Sequence, residues 1–114
     1  AKGVSGRADV LPAAAVLAAA TLQGARALGL GDRTGSLIPG KAADIPCVDL
    51  KRAATQPVHC PVSQLVYAAS RDQVTDVWVG GEHLLVDGQP TRADVDSILG
   101  RAAAWGRKLV DVRA

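Results

Sequence analysis

Four side chains in this sequence have the chemistry to hold a soft or borderline metal ion: Cys47, His59, Cys60 and His83. A hydrolytic metal centre needs about three protein ligands and an open position for water. The ion then lowers the pKa of that water and polarises the bond to be cleaved. The spacing here does not supply such a centre. The sequence has no His-x-His, no Cys-x-x-Cys and no His-Glu-x-x-His, and the adjacent pair His59-Cys60 is poorly spaced to chelate one ion. The simpler reading makes Cys47 a small strand residue, His59 and Cys60 part of a loop, and His83 a hairpin side chain. Serine nucleophiles fare no better. Ser63 and Ser70 fall at the ends of a short helix, where serine caps, and there is no Gly-x-Ser-x-Gly elbow. Gly29 to Gly35, GLGDRTG, has the glycine content of a phosphate loop, but it follows a helix and opens none, so it reads as a helix terminus. No catalytic, cofactor-binding or metal-ligating residue is therefore assigned, and the chain by itself is expected to be inactive.

The elements that would carry these residues follow from pattern. Residues 1–11 read as loop, broken by Gly3, Ser5 and Gly6. Pro12 suits the first turn of a helix over Ala13 to Leu28, which is Ala-rich and apolar nearly all round. Such a helix is buried on more than one side in a folded protein, and this chain has little to cover it. Residues 35–50 read as two strands about the Pro39-Gly40 turn. Pro46 lies in the second, Asp44 to Leu50, and demands an edge, a bulge or an interruption there. Lys51 to Cys60 is a proline-punctuated loop, and Pro61 opens a short helix over Val62 to Ala69. Val74 to Val79 and Glu82 to Val86 are strands joined by Gly80-Gly81, a two-residue hairpin turn. Asp87-Gly88 turns the chain again into a brief strand, Gln89 to Thr91. The last helix, Asp94 to Val110, places Val95, Ile98, Leu99, Ala102, Trp105 and Leu109 at helical spacing. Asp94 and Asp96 at its start favour the helix dipole, and Arg101, Arg107 and Lys108 read as its solvated face.

The predicted class is α+β: a small β-sandwich half of short strands and hairpins, flanked by an N-terminal buried helix and a C-terminal helix. Residues 1–31 supply the loop and first helix, and residues 32–114 form one compact unit. At 114 residues the chain is too short for a (β/α)8 barrel, which takes about 250. Its apolar residues are mostly Ala, Val and Leu, with no Phe or Met, one Tyr and two Trp, so a core would be thin. A net charge of +2 with both signs interspersed and no basic stripe among aromatics argues against nucleic acid. No run is long enough to span a membrane, and the start lacks the layout of a signal peptide. Two cysteines do not make a disulfide framework, which suits a reducing cytoplasm. The absence of Met leaves the chain's true start unmarked.

Four segments, taken in order, resemble one family. ATLQGARALGL (Ala20 to Leu30) is similar to the last barrel helix of metal-dependent amidohydrolases, and GSLIPGKAADI (Gly35 to Ile45) to the strand pair after the barrel. VTDVWVGGEHLLVDGQ (Val74 to Gln89) resembles the family's closing hairpin. PVSQLVYAAS (Pro61 to Ser70) resembles the cytosine-deaminase-like branch, with its chlorohydrolases and methylthioadenosine/S-adenosylhomocysteine deaminases. The resemblance implies a parent whose zinc (or iron) sits in a barrel, beside a small sandwich built from both ends of the polypeptide. It implies that the ligands, a His-x-His pair, two further His and an Asp, lie upstream of Ala1. The partners it implies are the missing N-terminal and barrel portion, or a second copy of the chain. The alternative expectation is a free-standing interaction module without activity. Three positions depart from the family pattern: Pro46 in place of an aliphatic strand residue, His59-Cys60 before Pro61, and Gly81 in the hairpin.

Overall fold

The structure, a computed structural model, describes Gly6 and residues 10–111. The predicted N-terminal loop lies mostly outside the described residues. Helix α1 is built from Ala13–Ala18, a π-helical turn at Ala19–Gln23, and Gly24–Ala27. The hydroxyl of Thr21 donates to the Leu17 carbonyl at 2.7 Å, a back-bond of the kind that competes with the backbone ladder inside this turn. Gly29 (φ 72°) ends the helix. Its N–H reaches the Arg26 carbonyl at 3.0 Å and the Leu30 N–H reaches Ala25 at 2.8 Å, the six-to-one closure of a Schellman cap. GLGDRTG is thus the helix terminus expected.

Four strands form one antiparallel sheet in the order β1-β2-β3-β4: β1 (Ile45–Val48), β2 (Val74–Val79), β3 (Glu82–Val86) and β4 (Gln89–Pro90). Both hairpin turns are of the two-residue type with positive φ at both positions, Gly80 (58°) and Gly81 (84°), then Asp87 (47°) and Gly88 (76°). That conformation matches the right-handed strand twist. Pro46 sits on β1, which is an edge strand, and the register slips between Cys47 and Val48. The proline therefore costs no interior ladder bond. Helix α2 (Pro61–Tyr67) starts at its proline, and α3 (Val95–Asp111) follows β4. Helices beside an antiparallel sheet make the class α+β.

The first of the two strands expected over residues 35–50 does not form. From Gly35 to Asp44 the backbone pairs locally instead: Ile38 N–H to Ser36, Lys41 N–H to Ile38 around the Pro39-Gly40 turn, and Ala42 N–H to Arg33. These bonds use donors a ladder would need. The loop over residues 51–60 contains a 3-10 turn, Ala53–Thr55.

The predicted buried helix is not buried within this chain. Ala13 and Ala25 are its only buried residues among those described, and Leu28 at its end is 76% exposed. The reason is that no described element lies over its outer face. The whole chain exposes 8664 Å², whereas a monomer of its mass would expose about 5,900 Å².

What is fully buried is polar. Thr55 (0% exposed) and Gln73 (2%) form a knot that ties the 51–60 loop to the sheet. The Gln73 side-chain amide donates to the Asp49 carbonyl at 2.8 Å and to the Thr55 hydroxyl at 3.2 Å, and its carbonyl accepts the Ser70 N–H at 2.9 Å. The Thr55 hydroxyl donates to Leu50 and Arg52 carbonyls, and the Gln64 amide donates to the Thr55 carbonyl.

Candidate functional site

A concavity lies between α1 and β1. Ala20, Gly24 and Ala25 of the helix, Gly35 and Leu37 of the following loop, and Ile45 of the strand enclose a mainly apolar groove of about 520 Å³. Its floor depends on one close approach. Gly35 (φ 85°) packs so tightly on the π-turn that a Cβ there would lie 2.7 Å from Ala25 Cβ, 2.9 Å from Leu22 Cα and 3.0 Å from the Thr21 carbonyl. Only glycine meets both the left-handed backbone and the space. The Ser36 hydroxyl beside it is buried without a hydrogen-bond partner.

Asp44 clamps the groove's rim to the hairpin. Its carboxylate accepts the Gly80 N–H at 2.7 Å and the Thr34 hydroxyl at 2.7 Å. The Gly80 bond first, then Thr34 and the nearby Arg33 charge, hold the Asp44 pKa below the ordinary carboxylate value. The sign follows: Asp44 stabilises the fold above the unfolded-state pKa, near ~3.9, and that contribution is lost as pH falls through the lowered folded value. Asp44→Ala is therefore expected to melt below the unsubstituted chain near neutral pH, with the gap closing in acid below about pH 4. A gap that stays constant from neutral pH to about pH 2.5 would show that the carboxylate charge is not what holds the turn.

The metal-capable residues do not converge. His83 Nε2 meets Asp76 Oδ1 at 2.9 Å, and the His83 ring stacks on Trp78 with centroids 4.0 Å apart. The Thr75 hydroxyl, ahead of His83, lowers the Asp76 pKa. Cys47 pairs in register with Asp76 on β1 but is exposed, and His59 and Cys60 lie in the exposed loop before α2. The Ser63 hydroxyl and N–H lower the Cys60 thiol pKa, a local effect at the helix start. Ser70 does not cap the short helix, which ends at Tyr67; it opens the following 3-10 turn Arg71–Gln73 in a capping box with Gln73, and its hydroxyl donates to the Asp72 carboxylate. Among the described residues no three His, Cys, Asp or Glu side chains group around one point. The donor set thus does not fit a zinc ion: the pair Asp76–His83 is one ligand short of a hydrolytic site and is engaged with itself and with Trp78. Nor is any described helix long and apolar enough to cross a membrane.

Sequence reasoning missed the polar knot and the Asp44 clamp. Ser70-x-x-Gln73 carries a capping-box pattern that could have pointed to Gln73. Thr55 and Asp44 sit in irregular segments where no periodicity marks them.

Comparison with known proteins agrees with the family resemblance. Residues 2–84 match the model of the amidohydrolase family. The 5-methylthioadenosine/S-adenosylhomocysteine deaminase of Teredinibacter turnerae is 44% identical over 108 residues, covering 95% of this chain and 24% of that protein. The enzyme of the same name from Moorella thermoacetica is 41% identical over 98 residues, covering 86% of this chain and 23% of that protein. Among solved structures, a zinc-bound adenosine deaminase from Xanthomonas campestris superposes with a TM-score of 0.88 at 48% identity, over 96% of this chain and 25% of that one. The zinc complex of atrazine chlorohydrolase TrzN from Arthrobacter aurescens gives 0.74 at 34% identity, over 82% of this chain and 20% of that one. The chain spans about a quarter of the length of the curated relatives it matches.

Proposed function

The chain belongs to the amidohydrolase family, and from that premise we propose that it is the non-catalytic, C-terminal portion of a metal-dependent hydrolase acting on C–N or C–Cl bonds of heterocyclic substrates, a deaminase in the first place. The relatives at 44% and 41% identity are named for deamination of 5-methylthioadenosine and S-adenosylhomocysteine, which favours a purine nucleoside over a chlorotriazine. In this reading the zinc and its ligands belong to a part of the protein beyond these 114 residues. The four strands form half of a small sandwich, and α1 is the last helix of a barrel.

The observation that carries the proposal is the open apolar face of α1, with the groove it shares with β1, which no described element covers. Neighbouring barrel elements would cover such a face. Within this reading the residues of the chain position and support; they do not touch substrate. The Asp44 clamp ties the loop after α1 to the hairpin, the Gly35 contact seats that loop on α1, and the Thr55–Gln73 knot fixes the loop that leads into α2.

The test is catalysis by the 114-residue chain supplied with zinc. The expected result is no deamination of 5-methylthioadenosine or S-adenosylhomocysteine and no dechlorination of atrazine. Turnover that follows zinc content overturns the proposal. The second reading, a free-standing interaction module, draws on the same exposed surface, which a self-association could cover equally well.

A further inference from the structure

Helix α3 needs a cover that no other described element gives it. It runs 17 residues from Val95 to Asp111 and makes no more than glancing contact with any other described element. Two glycines, Gly100 and Gly106, lie within it, and each weakens a helix by about 1 kcal/mol relative to alanine. A helix of this length and composition depends on packing of its apolar face. That face is continuous: Val95, Ile98, Ala102, Trp105 and Leu109 recur at spacings of three and four, with Leu99 beside them. All are exposed, Trp105 and Leu109 at 65%.

From the charge pattern we infer that the occupant of this face is α3 of a second copy, lying antiparallel and crossing at Ala102. The small Ala102 side chain at the midpoint lets two helix axes approach closely, with Leu99 against Trp105 of the other copy and Val95 against Leu109 of the other copy. Asp94, Arg101 and Lys108 lie seven residues apart along one flank of the stripe. An antiparallel crossing sets Asp94 of each copy beside Lys108 of the other. Arg101 meets its own copy near the axis, one repulsion against two attractions. A parallel pair sets this flank of the two copies on opposite sides of the seam, so neither Asp94–Lys108 attraction forms, and it lays the two helix dipoles side by side in the same sense. Lys108 already lies 5.0 Å from the centre of the Trp105 ring, so its charge is held at the edge of the stripe. The symmetric crossing is isologous and closes at two copies. The inference rests on α3 alone and stands or falls separately from the parent-enzyme reading.

Disulfide trapping tests it in the 114-residue chain with Cys47→Ser and Cys60→Ser, both exposed positions. Ala102→Cys is expected to cross-link two copies, because the crossing brings those positions within disulfide reach. Val95→Cys is expected not to, since the two copies of residue 95 would stand about 21 Å apart along the helix. Cross-linking of Val95→Cys would mean a parallel pair and overturn the inference; failure of Ala102→Cys to cross-link would do the same. Sedimentation gives a second readout on the uncross-linked chain. A mass near twice 11.7 kDa is expected, and Trp105→Glu should raise the dissociation constant about 30-fold or more, with helix content checked by circular dichroism. A monomer before substitution, or a dimer indifferent to Trp105→Glu, places the apolar stripe against something other than a second copy.

Discussion

Gln73→Leu is expected to destabilise the chain by about 3–5 kcal/mol, more than any single apolar truncation on the outer face of α1. Leucine keeps the side chain's bulk but removes three hydrogen bonds at once. The Asp49 carbonyl and the Ser70 N–H lose their partner at a site only 2% exposed, and the Thr55 hydroxyl loses a donor. Unsatisfied buried polar groups cost more than the bonds themselves contribute, because water cannot replace the partner. Leu28→Ser is the contrast. Leu28 is 76% exposed, so the change is expected to fall within about 0.5 kcal/mol of neutral. Urea midpoints of the two variants decide between a fold held by a polar knot and one held by an apolar core. A larger loss for Leu28→Ser than for Gln73→Leu would mean that α1 is covered in solution by something this chain's own fold does not provide.

Gly35→Ala is expected to cost about 2–4 kcal/mol from two sources that add: a left-handed backbone carrying a Cβ, and that Cβ driven into the π-turn of α1. The contact at 2.7 Å is with Ala25 Cβ, and those to Leu22 Cα and the Thr21 carbonyl are with backbone, which cannot swing aside. Combining Gly35→Ala with Ala25→Gly should recover part of the loss, and the double-mutant cycle reads the contact directly. Strict additivity of the two changes would place the whole cost in the backbone conformation and none in the packing against α1.

These two sites divide differently between sequence and structure. The hairpins were legible because Gly80-Gly81 and Asp87-Gly88 are chemistry that few other backbones use, and the helices because proline opens two of them and glycine closes one. Pro46 correctly pointed to an irregular edge strand, since a missing donor leaves few places in a sheet. The stretch GSLI misled. Its alternation suits a strand, yet Gly35 is taken by its contact with α1, and the loop then satisfies its own donors through Arg33, Ser36 and Ile38. The polar knot was illegible for a related reason. Thr55, Gln64 and Gln73 come together only after the chain has folded back from α2 to β2, and residue type alone marks none of them as buried. The motif GSLIPGKAADI also carried a family signal that survives the loss of its first strand. In this chain the motif carries the glycine contact and the Asp44 clamp in place of a ladder.

On the proposed reading the chain supports a hydrolase whose reaction centre lies in another part of the protein. Measuring zinc content and deamination together on the purified 114-residue chain tests it most directly. Zinc well below one ion per chain is expected after dialysis, with no turnover of 5-methylthioadenosine when zinc is restored. One tightly held zinc per chain, with turnover lost on chelation and regained on adding the metal, would contradict it.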